Sequence, residues 1–373
     1  MRTETKSISR FAGALALAVI SSTLAIPVPG AAEERVVNVY NWSDYVDPKT
    51  LEAFTKETGI KVIYDTYDSD EILETKLLAG KTGYDVVVPG AHFLQREIKA
   101  GVLAKLDKSK LKNLGNLWDE IEKRRDVYDP GAQYSVPYMW GTTAIGINVA
   151  KVKERLGDVP LDSWDFLLKP ENAAKLKDCG IQILDSPAQI LPNILNYAGL
   201  KPNSRDEGDI NKAIAILKGI RPNIQKFHSS EYIGSLANGD ICVAVGYSGD
   251  VLQAKRRAEE SKSGAKIAYI IPKEGALMWF DGMAIPADAP HVDEAHAFID
   301  FMQRPEIAAK NSNYVSYANG NKASQASLDE AVRNDPGIYP SPEIMAKLFV
   351  STTSDQKTQR FINRAWTNLV SGQ

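Results

Sequence analysis

The chain has 373 residues, 44% hydrophobic and 24% charged, a balance that excludes a disordered polymer and a membrane-embedded bundle, and a length that calls for more than one hydrophobic core. Its formal net charge of −3 argues against nucleic acid as a partner.

Residues 1–32 stand apart. Arg2, Lys6 and Arg10 precede an apolar run over 11–26, and the small residues Gly30, Ala31 and Ala32 follow, the arrangement of an export signal cleaved near Ala32. A membrane anchor is the alternative, but the run is short of the roughly 20 residues a spanning helix needs, and Pro27 and Pro29 close it. Cleavage there removes three positive charges and one negative, taking the net charge from −3 to −5. No cysteine at the junction offers a lipid attachment point, so the mature chain is expected to be free in the periplasm. In that oxidising space Cys179 and Cys242 are expected to pair, a metal pair or two buried thiols being the rival readings. Such a bridge stabilises by roughly 4 kcal/mol on the loop-entropy model.

Beyond the signal, residues 36–40 form a β-rich run. Pro48 opens a helix with Leu51 and Phe54 on one face, Gly59 closes it, and 61–64 is a second strand. Ile72, Leu73 and Leu77 mark a second helix ending at Gly80, and 85–88 is an almost wholly apolar strand of the doubly buried kind. The first lobe is therefore expected to be α/β around a largely parallel sheet. Residues 134–148 form a long extended run containing Gly141 and Gly146, a candidate crossing between lobes. Strand and helix patterns resume over 181–184, 189–197, 241–246 and 251–259, giving a second α/β lobe that holds both cysteines. The chain crosses back near Ile271-Pro272 into a strand over 278–285, stopped by Pro286, and a helix over 292–302. The organisation expected is lobe 1 over 33–141, lobe 2 over 142–272, a return to lobe 1 over 273–325, and a C-terminal segment, 326–373, packing on lobe 2.

One motif recurs: an aromatic residue within three positions of an aspartate, in Trp42-Ser43-Asp44-Tyr45, Tyr247-Ser248-Gly249-Asp250 and Trp279-Phe280-Asp281. The first two follow strand C-termini, where open α/β sheets hold their ligands. Ring faces attract ammonium groups and carboxylates give them charge-assisted hydrogen bonds, so the combination suits an alkylammonium ligand. In the third, strand alternation puts Trp279 and Asp281 on one face and Phe280 on the other. The ordinary alternatives are a helix cap at Asp250, an Asx turn at Asp44 and core roles for Trp42 and Trp279.

Signals for catalysis are weak. His92, His228, His291 and His296 have no zinc spacing, the run 246–249 lacks the spacing of a nucleophile elbow, and no phosphate-cradling loop is present. His296 reads as a surface or packing residue. No catalytic residue, metal or cofactor is expected.

With Asn41-Trp42-Ser43-Asp44-Tyr45, the segments Pro137-Tyr138-Met139-Trp140, His228-Ser229-Ser230, Ala237-Asn238-Gly239-Asp240-Ile241-Cys242 and Ile271-Pro272-Lys273-Glu274-Gly275 give the chain a further character. In this order they make it resemble the periplasmic polyamine-binding proteins of ABC importers over nearly all of the mature sequence. The resemblance implies the bilobed periplasmic-binding-protein fold (type II), two α/β lobes joined by hinge strands. It implies ligand contacts from Trp42, Ser43, Asp44 and Tyr45, from Tyr247 and Asp250 of the second lobe, from Trp279 and Asp281 near the return crossover, and from Tyr317. It also matches Cys179 and Cys242 to a paired position.

Two site positions depart from the family pattern: Gly90 stands where putrescine-binding members often carry serine, and Gln189 where they carry glutamate. Trp279 stands where spermidine-preferring members have tryptophan, which points to spermidine, while the carboxylate lost at Gln189 pulls against a tight polycation site. The function expected is capture of spermidine or putrescine by a monomer that delivers it to a membrane permease. The rivals are a binding protein for agmatine, cadaverine, a basic amino acid or an opine, an enzyme on a bilobed scaffold, and a sensing or adhesion protein that kept the fold.

Overall fold

The computed structural model of the chain describes residues 35–372; the expected export signal and its cleavage point lie outside them. Strands β1 (Val36–Trp42), β2 (Lys61–Tyr67) and β3 (Val86–Val87) lie parallel with β1 in the middle. Helices α1 (Pro48–Thr58) and α2 (Asp70–Ala79) connect them, and α3 (Ala91–Ala100) follows β3. Local chemistry sets the ends of α1. Asp47 accepts the Lys49 N–H, Pro48 supplies a first-turn φ, and Gly59 ends the helix at φ 70°. On α2, Leu73 and Leu77 are buried, while Ile72 is 50% exposed. One helical step turns about 100°, so Ile72 cannot share the inward direction of Leu73 and Leu77.

Strand β4 (Ser135–Asn148) is buried along its whole length. It is followed by β5 (Ile181–Ile183), β6 (Lys226–Phe227), β7 (Val243–Tyr247), β8 (Ile267–Ile270), β9 (Leu277–Ala284), β10 (Ala318–Asn319) and β11 (Phe349–Val350). Among the described residues these make one sheet in the order β2-β1-β3-β9-β4-β7-β5-β6, with β8 and β10 also on β4 and β11 on β9. The outer groups, β2-β1-β3 and β7-β5-β6, are parallel as βαβ units require. The middle is not: β3–β9, β9–β4 and β4–β7 are antiparallel. The first lobe's β2-β1-β3 group is parallel as expected, and the whole sheet is mixed because chain segments returning from the other half run opposite to the strands they meet.

The fold is bilobed α/β, with the long strands β4 and β9 in both halves. One apolar core joins Val37, Phe54, Val86 and Tyr138 to Met283, Phe298 and Tyr317. The other gathers Ile145, Trp164, Leu191, Val243 and Val251, and receives Trp366 and Leu369 from the C-terminal helix Gln356–Ser371. A third cluster packs Leu328, Val332, Ile338 and Leu348 against Trp140 and Phe280. Cys179 and Cys242 form a disulfide, their Cα atoms 5.5 Å apart, which ties the turn before β5 to the start of β7. Among the described residues, no helix is long and apolar enough to cross a membrane.

Candidate functional site

A cleft opens where strand ends from both halves meet. Every residue expected to contact ligand lines it: Trp42, Ser43, Asp44, Tyr45, Gly90, Gln189, Tyr247, Asp250, Trp279, Asp281 and Tyr317.

The first wall is the turn after β1. Asp44 takes a left-handed φ of 55°, a conformation aspartate tolerates better than most residues. Its carboxylate lies at the cleft rim, 2.9 Å from Arg257 Nη2 and half exposed. The Trp42 indole N–H donates to the Val88 carbonyl at 2.9 Å, which fixes the ring against the β3 end. Tyr45 is buried, and its hydroxyl donates to Asp281 Oδ2 at 2.6 Å, joining the first motif to the third.

The second wall is the β7 end and the helix Ser248–Ser261 that leaves it. Asp250 lies in the first turn, where the helix dipole favours a negative charge. Its side chain does not cap the helix. Instead Oδ2 accepts the Tyr232 hydroxyl at 2.6 Å and Oδ1 the Tyr317 hydroxyl at 2.5 Å. Two glycines make room for those tyrosines: a Cβ at Gly246 would stand 2.5 Å from the Tyr232 ring, and one at Gly249 would stand 2.5 Å from the Tyr317 ring. The run Gly246-Tyr247-Ser248-Gly249-Asp250 is thus a carboxylate holder.

The third wall is β9. Trp279 and Asp281 line the cleft, and Phe280 between them lines it too while packing into the third cluster. Trp279 lies across Gly141 of β4, where a Cβ would meet its ring at 2.6 Å. Its indole Nε1 is buried without a hydrogen-bond partner among the described residues. Ring contacts then run continuously, with centroid separations of 6.4 Å for Trp42–Tyr247, 5.5 Å for Tyr247–Trp279, 5.4 Å for Trp279–Tyr317 and 5.1 Å for Tyr317–Tyr45. Gln189, on the helix Pro187–Tyr197, accepts the Thr143 hydroxyl at 2.7 Å.

The carboxylates carry the site's electrostatics. Burial pushes Asp250 up to about 6, against the pull of the two tyrosine hydroxyls and of Arg257. Burial pushes Asp281 further, to about 7, opposed by the Tyr45 hydroxyl and by Arg125. Both are thus placed to gain from a cation that restores the lost solvation.

Three contributors escaped the sequence reading. Asp70, at the start of α2, lines the cleft and is buried; lying just after β2, it obeys the same strand-end rule as Asp44. Tyr232 holds Asp250 from behind, and its only signal was its closeness to His228-Ser229-Ser230. His92 also lines the cleft, with burial pushing its pKa down to about 4, so it contributes no charge at neutral pH. His296, by contrast, is a packing residue whose Nε2 accepts the Asp107 N–H at 2.9 Å.

The arrangement is one of known protein relatives. A family model for bacterial extracellular solute-binding proteins matches residues 49–340. Over 359 residues the chain is 54% identical to the putrescine-binding periplasmic protein SpuD of Pseudomonas aeruginosa (strain UCBPP-PA14), which covers 95% of this chain and 98% of that protein. It is 50% identical over 364 residues to the putrescine-binding periplasmic protein PotF of Escherichia coli (strain K12), with coverage of 97% and 96%. Among solved structures, it is similar to the spermidine/putrescine ABC transporter substrate-binding protein PotD from Streptococcus pneumoniae, with a TM-score of 0.75 and 31% identity over 91% of this chain and 99% of that one. With a family model spanning most of its length and relatives of this identity aligned nearly end to end, the chain belongs to the bacterial extracellular solute-binding proteins.

Proposed function

We propose that this protein is the solute-binding component of a polyamine ABC importer, an exported monomer that takes spermidine or putrescine into the cleft and presents it to a membrane permease. The observation that carries this reading is the lining itself, which holds five aspartates, Asp44, Asp68, Asp70, Asp250 and Asp281, between aromatic walls, and no lysine or arginine among the described residues. Carboxylates neutralise the ammonium ends, and the rings of Trp42, Tyr247 and Trp279 lie along the methylenes. The relatives named for putrescine and spermidine support the same solute class. In this reading the lobes are residues 33–141 with 273–325, and 142–272 with 326–373. Closure around the ligand is a population shift driven by contacts made only in the closed form. No bond is made or broken, and no cofactor takes part.

The second reading is another cationic solute, agmatine or cadaverine. A basic amino acid or an opine also carries a carboxylate, and the lining offers that group no cationic partner.

Isothermal titration of the ligand-stripped mature protein with spermidine, putrescine, cadaverine and agmatine tests the proposal, with Asp250→Ala alongside. Saturable one-to-one binding of a polyamine that is largely lost in the variant is the expected result. Absence of binding by all four amines to the intact protein would sink it.

A further inference from the structure

At one end of the cleft two carboxylates share a wall. Asp70 is 8% exposed and Asp281 5%. The backbone of Gly90 lies between them: its N–H donates to Asp70 Oδ1 at 2.9 Å, and the same residue forms an antiparallel bridge with Asp281. Asp281 Oδ2 accepts from Tyr45. Among the described residues this leaves Asp70 Oδ2 and Asp281 Oδ1 with no hydrogen-bond donor, in side chains more than nine-tenths buried that line the cleft. Neither oxygen is sealed from the cleft, so both are open to a donor that a ligand brings in.

Gly90 is what allows the arrangement. A Cβ at that position would stand 2.7 Å from Asp70 Oδ2 and 3.3 Å from Oδ1. Its φ of −62° is open to any residue, so only the space explains the glycine. Glu71 and Glu97 lie close enough to disfavour a second negative charge on Asp70, as does Asp281. Arg125 acts on Asp281 from the far side while its guanidinium hydrogen-bonds Glu122 and Ser135.

We infer that Asp70 and Asp281 together form a two-carboxylate pocket for one terminal ammonium of the ligand, with Gly90 admitting Asp70 to it, so that Asp70 is a ligand-binding residue of the cleft. The inference rests on the polyamine reading above. An ammonium brings three N–H donors, enough for both free oxygens, and the two carboxylates at this end are then those of residues 70 and 281, with none from residue 189.

The test is isothermal titration of putrescine and spermidine into the ligand-stripped protein, into Asp70→Asn, into Gly90→Ser and into the double variant, with the melting temperature of each ligand-free form. Asp70→Asn keeps the acceptor for the Gly90 N–H and removes only the charge. It is expected to weaken both amines at least tenfold while the ligand-free melting temperature stays equal or rises. Gly90→Ser is expected to weaken binding by displacing the Asp70 carboxylate, and to add little once Asp70 is asparagine. Unchanged affinity in Asp70→Asn overturns the inference and leaves the polyamine reading standing. So does a lowered melting temperature with the two substitutions acting additively, the behaviour of a merely structural aspartate. Failure of the unsubstituted protein to bind either amine removes both.

Discussion

The two ends of the cleft solve the same problem differently. Asp250 is given a hydroxyl donor for each oxygen, from Tyr232 and Tyr317, and begins a helix. The Asp70–Asp281 end has one tyrosine and one backbone N–H for four oxygens. Both ends are buried, yet Asp250 is pushed only to about 6 while Asp281 reaches about 7 and Asp70 is raised well above its ordinary value. Burial raises all three carboxylates, and the tyrosine hydroxyls on Asp250 and Asp281 pull against it, so donors temper a charge that depth disfavours. One end has a donor for each carboxylate oxygen, and the other leaves two oxygens for a donor that the ligand brings.

The strongest way to break this comparison is to remove the Asp250 end. Asp250→Asn leaves two tyrosine hydroxyls facing an amide and an ammonium without its counter-charge. Polyamine affinity measured by calorimetry is expected to fall about 100-fold or more, the cost typical of truncating one partner of a desolvated charge pair.

Acidity distinguishes the ends next. As pH drops from 8 to 5, Asp281 takes a proton first, through about 7, and Asp250 follows, through about 6. Binding of a cation should therefore weaken progressively over that range, by about tenfold or more per group titrated, and should release protons at neutral pH. The ligand-free fold responds with the opposite sign. These acids hold protons more tightly when folded than when unfolded, so their contribution to stability is greatest at low pH. It is lost as pH rises from about 4 towards 7. Melting curves of the empty protein between pH 5 and 7 should show it, and added polyamine should reverse the trend.

Tyr317→Phe makes the Asp250 end resemble the other by deleting one donor. Asp250 should then titrate closer to Asp281, with about tenfold weaker binding at pH 7 and little change at pH 8.5, seen by titration at both values. Gln189→Glu gives the smallest effect. It adds a negative charge beside the Thr143 hydroxyl, and a gain of about threefold for polyamines is expected at pH 8, because part of the added attraction goes into desolvating another carboxylate.

Much of this was legible in the sequence, for a reason particular residues make plain. Trp42, Asp44, Tyr247, Asp250, Trp279 and Asp281 announce themselves because ring and carboxylate are close in sequence, the first four at strand ends and the last two on one face of a strand, so local pattern and spatial position coincide. The strands around 36, 61, 135 and 243 and the helix at Pro48 follow from short-range periodicity and caps. What could not be read was the meeting of distant segments. Asp70 looks like an ordinary acidic residue in a first helical turn until β2 and α3 bring it to Gly90. Tyr232 gains its role only by lying behind Gly246, and the antiparallel centre of the sheet depends on where β9 returns. Gly90, noted as a missing hydroxyl, is better understood as space for a neighbour's carboxylate.

The placement of β9 has one more consequence, in the order of events as the chain is made. The first core needs Met283, Phe298 and Tyr317 to close over Val37 and Phe54, and the second needs Trp366 and Leu369. Neither half can be finished by its own stretch of polypeptide; both wait for segments beyond residue 277, where β9 begins. For most of its synthesis the growing chain therefore lacks the pieces that would lock either core.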